Sequence, residues 1–316
     1  MKKFISLLFS LSVVFLIYTT KEALASELTN VNGLNFSDEE IQNLQSLGFT
    51  DEAIINMDEE EYNLNKDLKG DIVAEDTKYI KVIENPEELN SSTLSKNTKG
   101  LNTTEINGSI VIELDEETFY KELEAEEQKM NLKASSSVIQ TSYKKLTTSI
   151  SKLSTNKYRI TNNMTWKKLP STREYDVTGI GINSTYWAPV PDSQYGKQTW
   201  TKYSHMYGTE SGNATYNTSS ANYKKGAGGY SLKMNLPNDS IGGGAAHKTV
   251  KTMSNYMYYS VSPLSKSGQL DAYGHYTHQN KSGTYSIGIS LGGPSFSVSP
   301  SNKFDSAIST HAQVKF

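Results

Sequence analysis

The stretch Tyr158-Arg-Ile-Thr-Asn-Asn-Met-Thr-Trp166 decides the fold. Tyr158, Ile160, Asn162, Met164 and Trp166 fall on every second position. Successive side chains of an extended chain point to opposite faces, so this period predicts a strand with one face in a core. Ile139, Thr141 and Tyr143 repeat the pattern upstream, before a turn near residues 154–156. Downstream, glycine-rich breaks at 226–229, 242–244 and 292–293 punctuate further alternating runs. Roughly eight to ten strands are expected beyond residue 137, with almost no helix. Sixteen of the twenty tyrosines and all three tryptophans lie in this part. Two facing sheets are the natural way to bury such strands, which predicts a β-sandwich.

The chain before residue 137 reads differently. Ser37-Asp-Glu-Glu40 is a capping box, and Ile41, Leu44 and Leu47 follow at helical spacing. Gly48 is a helix stop, Thr50 opens a second helix, and Asp58 caps a third turn through Tyr62. Residues 79–83 and 109–114 read as short strands, and Asp115 caps a helix carrying Phe119, Leu123 and Met130. The Ser/Thr/Asn-rich segment 85–108 reads as a loop, and 133–137 as a linker. The predicted class is therefore α+β: a small helix-rich N-terminal region at 26–136 followed by an all-β C-terminal sandwich at 137–316.

Residues 1–25 read as a secretory signal peptide. Lys2 and Lys3 precede an apolar run from Phe4 to Tyr18, and Ala23-Leu-Ala25 supplies the small-x-small site, predicting cleavage before Ser26. The run ends too early for a membrane span of about 20 residues. The chain has no cysteine, which excludes disulfides, a thiol nucleophile and a lipid anchor on cysteine. The expectation is a secreted, extracellular protein of a Gram-positive bacterium.

The net charge of -3 hides a strong division. Residues 26–136 hold 26 acidic and 9 basic side chains, a net of -17, whereas 137–316 hold 7 acidic and 19 basic, a net of +12. Such asymmetry suggests a basic surface seeking an anionic partner, with the acidic region able to shield it. Lys144, Lys145, Lys167, Lys168, Lys224, Lys225, Lys248 and Lys251, with Trp166 among them, are the candidate contacts to a cell-wall polymer, an anionic lipid or an acidic glycan. Nucleic acid is a poor fit for an exported chain. No cofactor is expected.

Residues 166–182, WKKLPSTREYDVTGIGI, resemble a recurring segment of uncharacterised exported proteins of bacilli and related Firmicutes. Those proteins combine a signal peptide, an acidic helical region and a polar β domain, and the resemblance implies that layout here without implying an activity. Within the segment, Arg173 and Asp176 are expected to pair at a strand end. The string LQSLGFTDEAIINM at 44–57 is similar to the small three-helix ubiquitin-associated fold, which implies shared packing and not shared function.

Patterns that suggest catalysis lack their context. Gly288-Ile-Ser-Leu-Gly292 fits a nucleophile elbow, with Asp305 and His311 following, but that motif needs a helix behind the serine and Gly293-Pro294 follows instead. His275 and His278 lie three apart on a predicted strand, hence on opposite faces, and so do not share a metal. No spacing singles out a carboxylate pair. The chain is therefore read as non-enzymatic. The alternative reading is a β-pore-forming toxin or bacteriocin-like effector. Tyr285, Ile287, Ile289 and Leu291, then Phe296 and Val298 after a turn, alternate as a membrane hairpin would.

Overall fold

The structure is a computed structural model that describes residues 28–84, 102–106, 108–132, 140–240, 243–266, 268–283, 286–305 and 308–316. The expected cleavage site, the linker at 133–137 and Tyr285 lie outside the described residues. The chain begins with three short helices, α1 (Asp38–Ser46), α2 (Asp51–Ile55) and α3 (Glu59–Asn65). Strands β1 (Asp71–Glu84), β2 (Asn102–Ile106) and β3 (Ser109–Leu114) follow, then helix α4 (Glu116–Leu132). Thirteen strands complete the described chain: β4 (Thr141–Ser154), β5 (Lys157–Lys168), β6 (Tyr175–Ile182), β7 (Trp187–Pro189), β8 (Tyr195–Ser204), β9 (Gly208–Tyr216), β10 (Tyr223–Gly226), β11 (Gly229–Asn235), β12 (Thr249–Pro263), β13 (Gln269–His278), β14 (Gly288–Gly292), β15 (Ser295–Ser299) and β16 (Ile308–Lys315).

The strands form an α+β sandwich. A nine-stranded sheet runs β2-β3-β1-β4-β5-β12-β8-β9, with β7 also on β12, and a five-stranded sheet runs β10-β11-β6-β13-β16. The alternation along β5 places Tyr158, Ile160 and Met164 between the sheets. There Tyr158 and Ile160 meet Ile180, Ile182, Leu232, Met257, Tyr259 and Leu270. A polar seam crosses the same layer. Thr148 Oγ1 donates to Asn162 Oδ1 at 2.8 Å, and Asn162 Nδ2 donates to Thr178 Oγ1 at 3.0 Å and to the His275 carbonyl at 3.1 Å.

Helices cover the outer face of the large sheet, giving three layers. Leu44, Leu47, Phe49, Ile54 and Met57 pack on Tyr195, Tyr256 and Tyr258. Phe119 and Leu123 of α4 pack on Ile83, Ile112 and Tyr143. The expected caps are present: Ser37 and Glu40 close a capping box, Thr50 caps α2, and Asp58 caps α3. The N-terminal region is more than a helical appendage, because β1 pairs with β4 from Asp71↔Lys152 to Ile83↔Thr141. The large sheet thus continues across residue 137. The segment 85–108 is also not wholly loop: Asn102–Ile106 is a strand on β3, where β-branched threonines pair as readily as apolar residues.

Gly48 joins the helical unit to the sheet. It sits at φ +92, and a Cβ there would lie 2.6 Å from Ser149 Oγ and 2.8 Å from Thr161 Oγ1. Thr161 Oγ1 and Asn163 Nδ2 donate to the carbonyls of Leu47 and Gly48, at 3.2 and 3.0 Å. Gly48→Ala is expected to cost roughly 1–3 kcal/mol, combining a left-handed backbone with overpacking, measured as a lower urea midpoint at unchanged slope.

Candidate anion-binding cleft

The lysines expected to form one basic face are dispersed. Adjacent residues on a strand point to opposite sides, so each Lys-Lys pair is split across its sheet. Lys144 is fully buried against Asp305, while Lys145 lies over the Tyr79 ring on the other face. Lys168 donates to Glu126 of α4 at 2.6 Å, whereas Lys167 is exposed. Lys224 and Lys225 are exposed on β10, an edge of the small sheet. Lys248 pairs with Glu210 at 2.7 Å, and Lys251 lies over Tyr203. Trp166 is buried and faces Tyr276 and His278 rather than a ligand. Arg173 pairs with Asp239 at 2.9 Å and not with Asp176, because β6 starts at Tyr175 and turns Asp176 inward to His278.

The structure assembles a different group of residues where the helical unit meets the sheet. Arg159 of β5 points to the outer face, its guanidinium 4.2 Å from the Tyr258 ring centre. It is 4% exposed, and its Nε and Nη1 have no hydrogen-bond partner among the described residues. Burial pulls its pKa below the ordinary value, with Tyr258 and Glu61 acting against that. The group still carries its charge, since arginine does not deprotonate in proteins.

Arg159 lines a cleft of about 360 Å³ with Lys157, Gln194, Tyr195 and Tyr258, walled on one side by Glu60, Leu64 and Leu68. Tyr195 and Tyr258 stack with ring centres 5.7 Å apart. Gln194 is buried; its Nε2 donates to the Thr218 carbonyl at 3.0 Å, and its Oε1 has no partner among the described residues. Arg159 and Gln194, both lining the cleft, thus keep buried polar atoms that have no hydrogen-bond partner among the described residues. Leaving such atoms buried without a partner is costly. Asp192 also lines the cleft, and together with Glu60 it opposes a dense polyanion.

Beneath the cleft wall lies the anchor of the helical unit. Lys197 of β8 is fully buried, and its Nζ donates to Asp58 Oδ2 at 2.6 Å and Glu61 Oε2 at 3.3 Å. Tyr256 Oη donates to Glu61 Oε1 at 2.5 Å. Burial pushes the Glu61 pKa up to about 7, against the pull of Lys197 and the Tyr256 hydroxyl. Burial also acts upward on Asp58, but hydrogen bonds from Lys197 and the Glu61 amide outweigh it and hold that carboxyl below its usual value.

A raised carboxyl pKa means that the folded state binds more protons than the unfolded state between about pH 4.5 and 7. Glu61 therefore makes stability fall as pH rises through that window. Glu61→Gln is expected to remove that part of the pH dependence of urea unfolding, and an unchanged profile contradicts the assignment.

The residues of the nucleophile pattern are not brought together. Ser290 is exposed on β14, Asp305 is held by Lys144, and His311 Nε2 lies 2.8 Å from Asp271 Oδ1. His275 and His278 do face opposite sides of β13: His275 meets Phe296 of the hairpin and His278 meets Trp166. Among the described residues no group of three or more His, Asp or Glu is placed to hold a metal. The hairpin β14–β15 has two arms of five residues. Ile287, Ile289, Leu291, Phe296 and Val298 turn inward, with Val298 packing on Val177 and Phe304. No described helix is long and apolar enough to cross a membrane.

Arg159, Gln194 and Lys197 escaped the sequence reading. One signal was present: β12 reads Tyr256-Met-Tyr-Tyr-Ser-Val261, large on both faces, as strands covered on both sides do. That row implies a layer over the outer face, and hence that an arginine there is buried.

No protein-family model matches the chain, and no curated protein is similar to it in sequence. Among solved structures, the chain is similar at 9% identity to a protein described as "Pore forming protein", covering 46% of this chain and 75% of that one, with a TM-score of 0.20. It is similar at 10% identity to Clostridium perfringens delta-toxin (57% and 86% covered, TM-score 0.23). It is similar at 9% identity to the C-terminal domain of the Streptococcus agalactiae AgI/II polypeptide BspA (76% and 85% covered, TM-score 0.26). Likenesses at these TM-scores carry no argument about this chain.

Proposed function

We propose that this is an exported, non-enzymatic binding protein, freed by cleavage before Ser26, that holds an anionic group of an extracellular surface in the Arg159 cleft. The carrying observation is the buried Arg159 guanidinium that lines the cleft, its Nε and Nη1 without a hydrogen-bond partner among the described residues. The unused Gln194 acceptor and the two rim carboxylates favour an acidic glycan, with single charges flanked by hydroxyls, over a phosphate-dense wall polymer. The acidic N-terminal region is then part of the site, since Glu60, Leu64 and Leu68 form its wall. Calorimetric titration of the mature chain with uronic-acid oligosaccharides, poly(glycerol phosphate) and a neutral glucan tests the reading. Saturable, salt-weakened binding of the uronic-acid ligand is expected, and no heat with any of them at low salt removes it.

A second reading, membrane insertion, is favoured by the amphipathic hairpin, whose inward row is apolar and whose outward row is Ser286, Gly288, Ser290, Ser295, Ser297 and Ser299. Its five-residue described arms fall short of the 9–11 or so residues of a spanning strand. Dye release from liposomes by the mature chain separates the two readings.

A further inference from the structure

The contact between Lys144 and Asp305 has the parts of a bond-forming site. Lys144 lies on β4 of the large sheet, Asp305 precedes β16 of the small one, and 161 positions separate them. Their side chains are 0% and 2% exposed, and Lys144 Nζ touches Asp305 Oδ2. Two rings enclose the amine, with Nζ 5.1 Å from the Trp166 centre and 4.9 Å from the Tyr276 centre. The other carboxyl oxygen, Oδ1, accepts from the His278 amide at 2.7 Å and from Thr277 Oγ1 at 2.9 Å. The Asp305 amide donates to the His278 carbonyl at 2.8 Å, which fixes the carboxyl-bearing residue on β13.

We propose that Lys144 and Asp305 join in an intramolecular amide bond that staples the two sheets. One proton passes from the ammonium Nζ to Oδ2, turning the ion pair into an amine and a carboxylic acid. The amine lone pair attacks Cγ, and the negative charge that develops on Oδ1 meets the two donors already aimed at it. Nζ then releases a proton to the departing Oδ2, the Cγ–Oδ2 bond breaks, and one water leaves. Ammonium and carboxylate become amide and water, so charge, protons and electrons balance without an oxidant or a co-reactant. The fold supplies the driving force: a nucleophile held against its target behaves as if at about 10⁵ M or more, and the site excludes the water needed for reversal.

The test is the intact mass of the mature chain under denaturing conditions, followed by proteolysis. The wild type is expected to be lighter than its sequence mass by one water, with the peptides containing Lys144 and Asp305 recovered as one branched species. Lys144→Met and Asp305→Ala are expected at their full sequence masses. Because those variants lack the bond whether or not they fold, the wild-type result decides. A wild type at full sequence mass, or a water loss confined to a single linear peptide, overturns the proposal.

Discussion

Lys197→Met is expected to destabilise the protein by about 3–5 kcal/mol, because it leaves two carboxylates beneath the helical unit without their cation. Lys197 is fully buried, Glu61 is fully buried, and Asp58 is partly exposed. Methionine fills most of the lysine stem's volume, so lost packing contributes little. The penalty belongs to the stranded carboxylates, and it is therefore recoverable. Adding Asp58→Asn and Glu61→Gln to Lys197→Met is expected to restore most of the stability, a strong positive coupling in a multiple-mutant cycle. Additive losses contradict this account of the anchor. The helical unit also leans on Leu47, Phe49 and Met57, so the single variant is expected to loosen it before the sandwich opens.

The second large effect runs the other way. Arg159→Met is expected to raise stability by roughly 1–2 kcal/mol while lowering affinity for an anionic ligand at least about tenfold. A buried charge with two unbonded nitrogens is a cost that an apolar side chain of similar length removes. The lost contact with the Tyr258 ring returns part of that gain. The affinity loss follows from removing a charge-assisted hydrogen bond, about 1.5–3 kcal/mol. A residue kept against the interest of stability is the signature of a binding position. A loss of stability instead means that Arg159 is a packing element and the cleft is incidental.

Much of the fold was legible because local rules act locally. The capping box at Ser37 and Glu40, the stop at Gly48 and the alternation from Tyr158 to Trp166 each depend on a few neighbouring residues. The misreadings came from partners distant in sequence. Lys144-Lys145 and its counterparts read as a basic patch only if both residues of a pair face one way, and a strand forbids that. The boundary near residue 137 looked like a change of domain because composition changes there. The pairing of β1 with β4, which carries the sheet across it, is set by cross-strand fit that composition does not report. Nothing near Arg159 in sequence announces that the helical unit will cover its face. The large residues on both faces of β12 held that information, 97 to 102 residues away from Arg159.

The central claim is that the Arg159 cleft binds an anion. Its most direct measurement is a calorimetric titration of residues 26–316, wild type and Arg159→Met, with the same uronic-acid oligosaccharide, beside urea unfolding of both. The account predicts binding by the wild type, at least about tenfold weaker binding by the variant, and a higher urea midpoint for the variant. Equal affinities in two equally folded proteins contradict it.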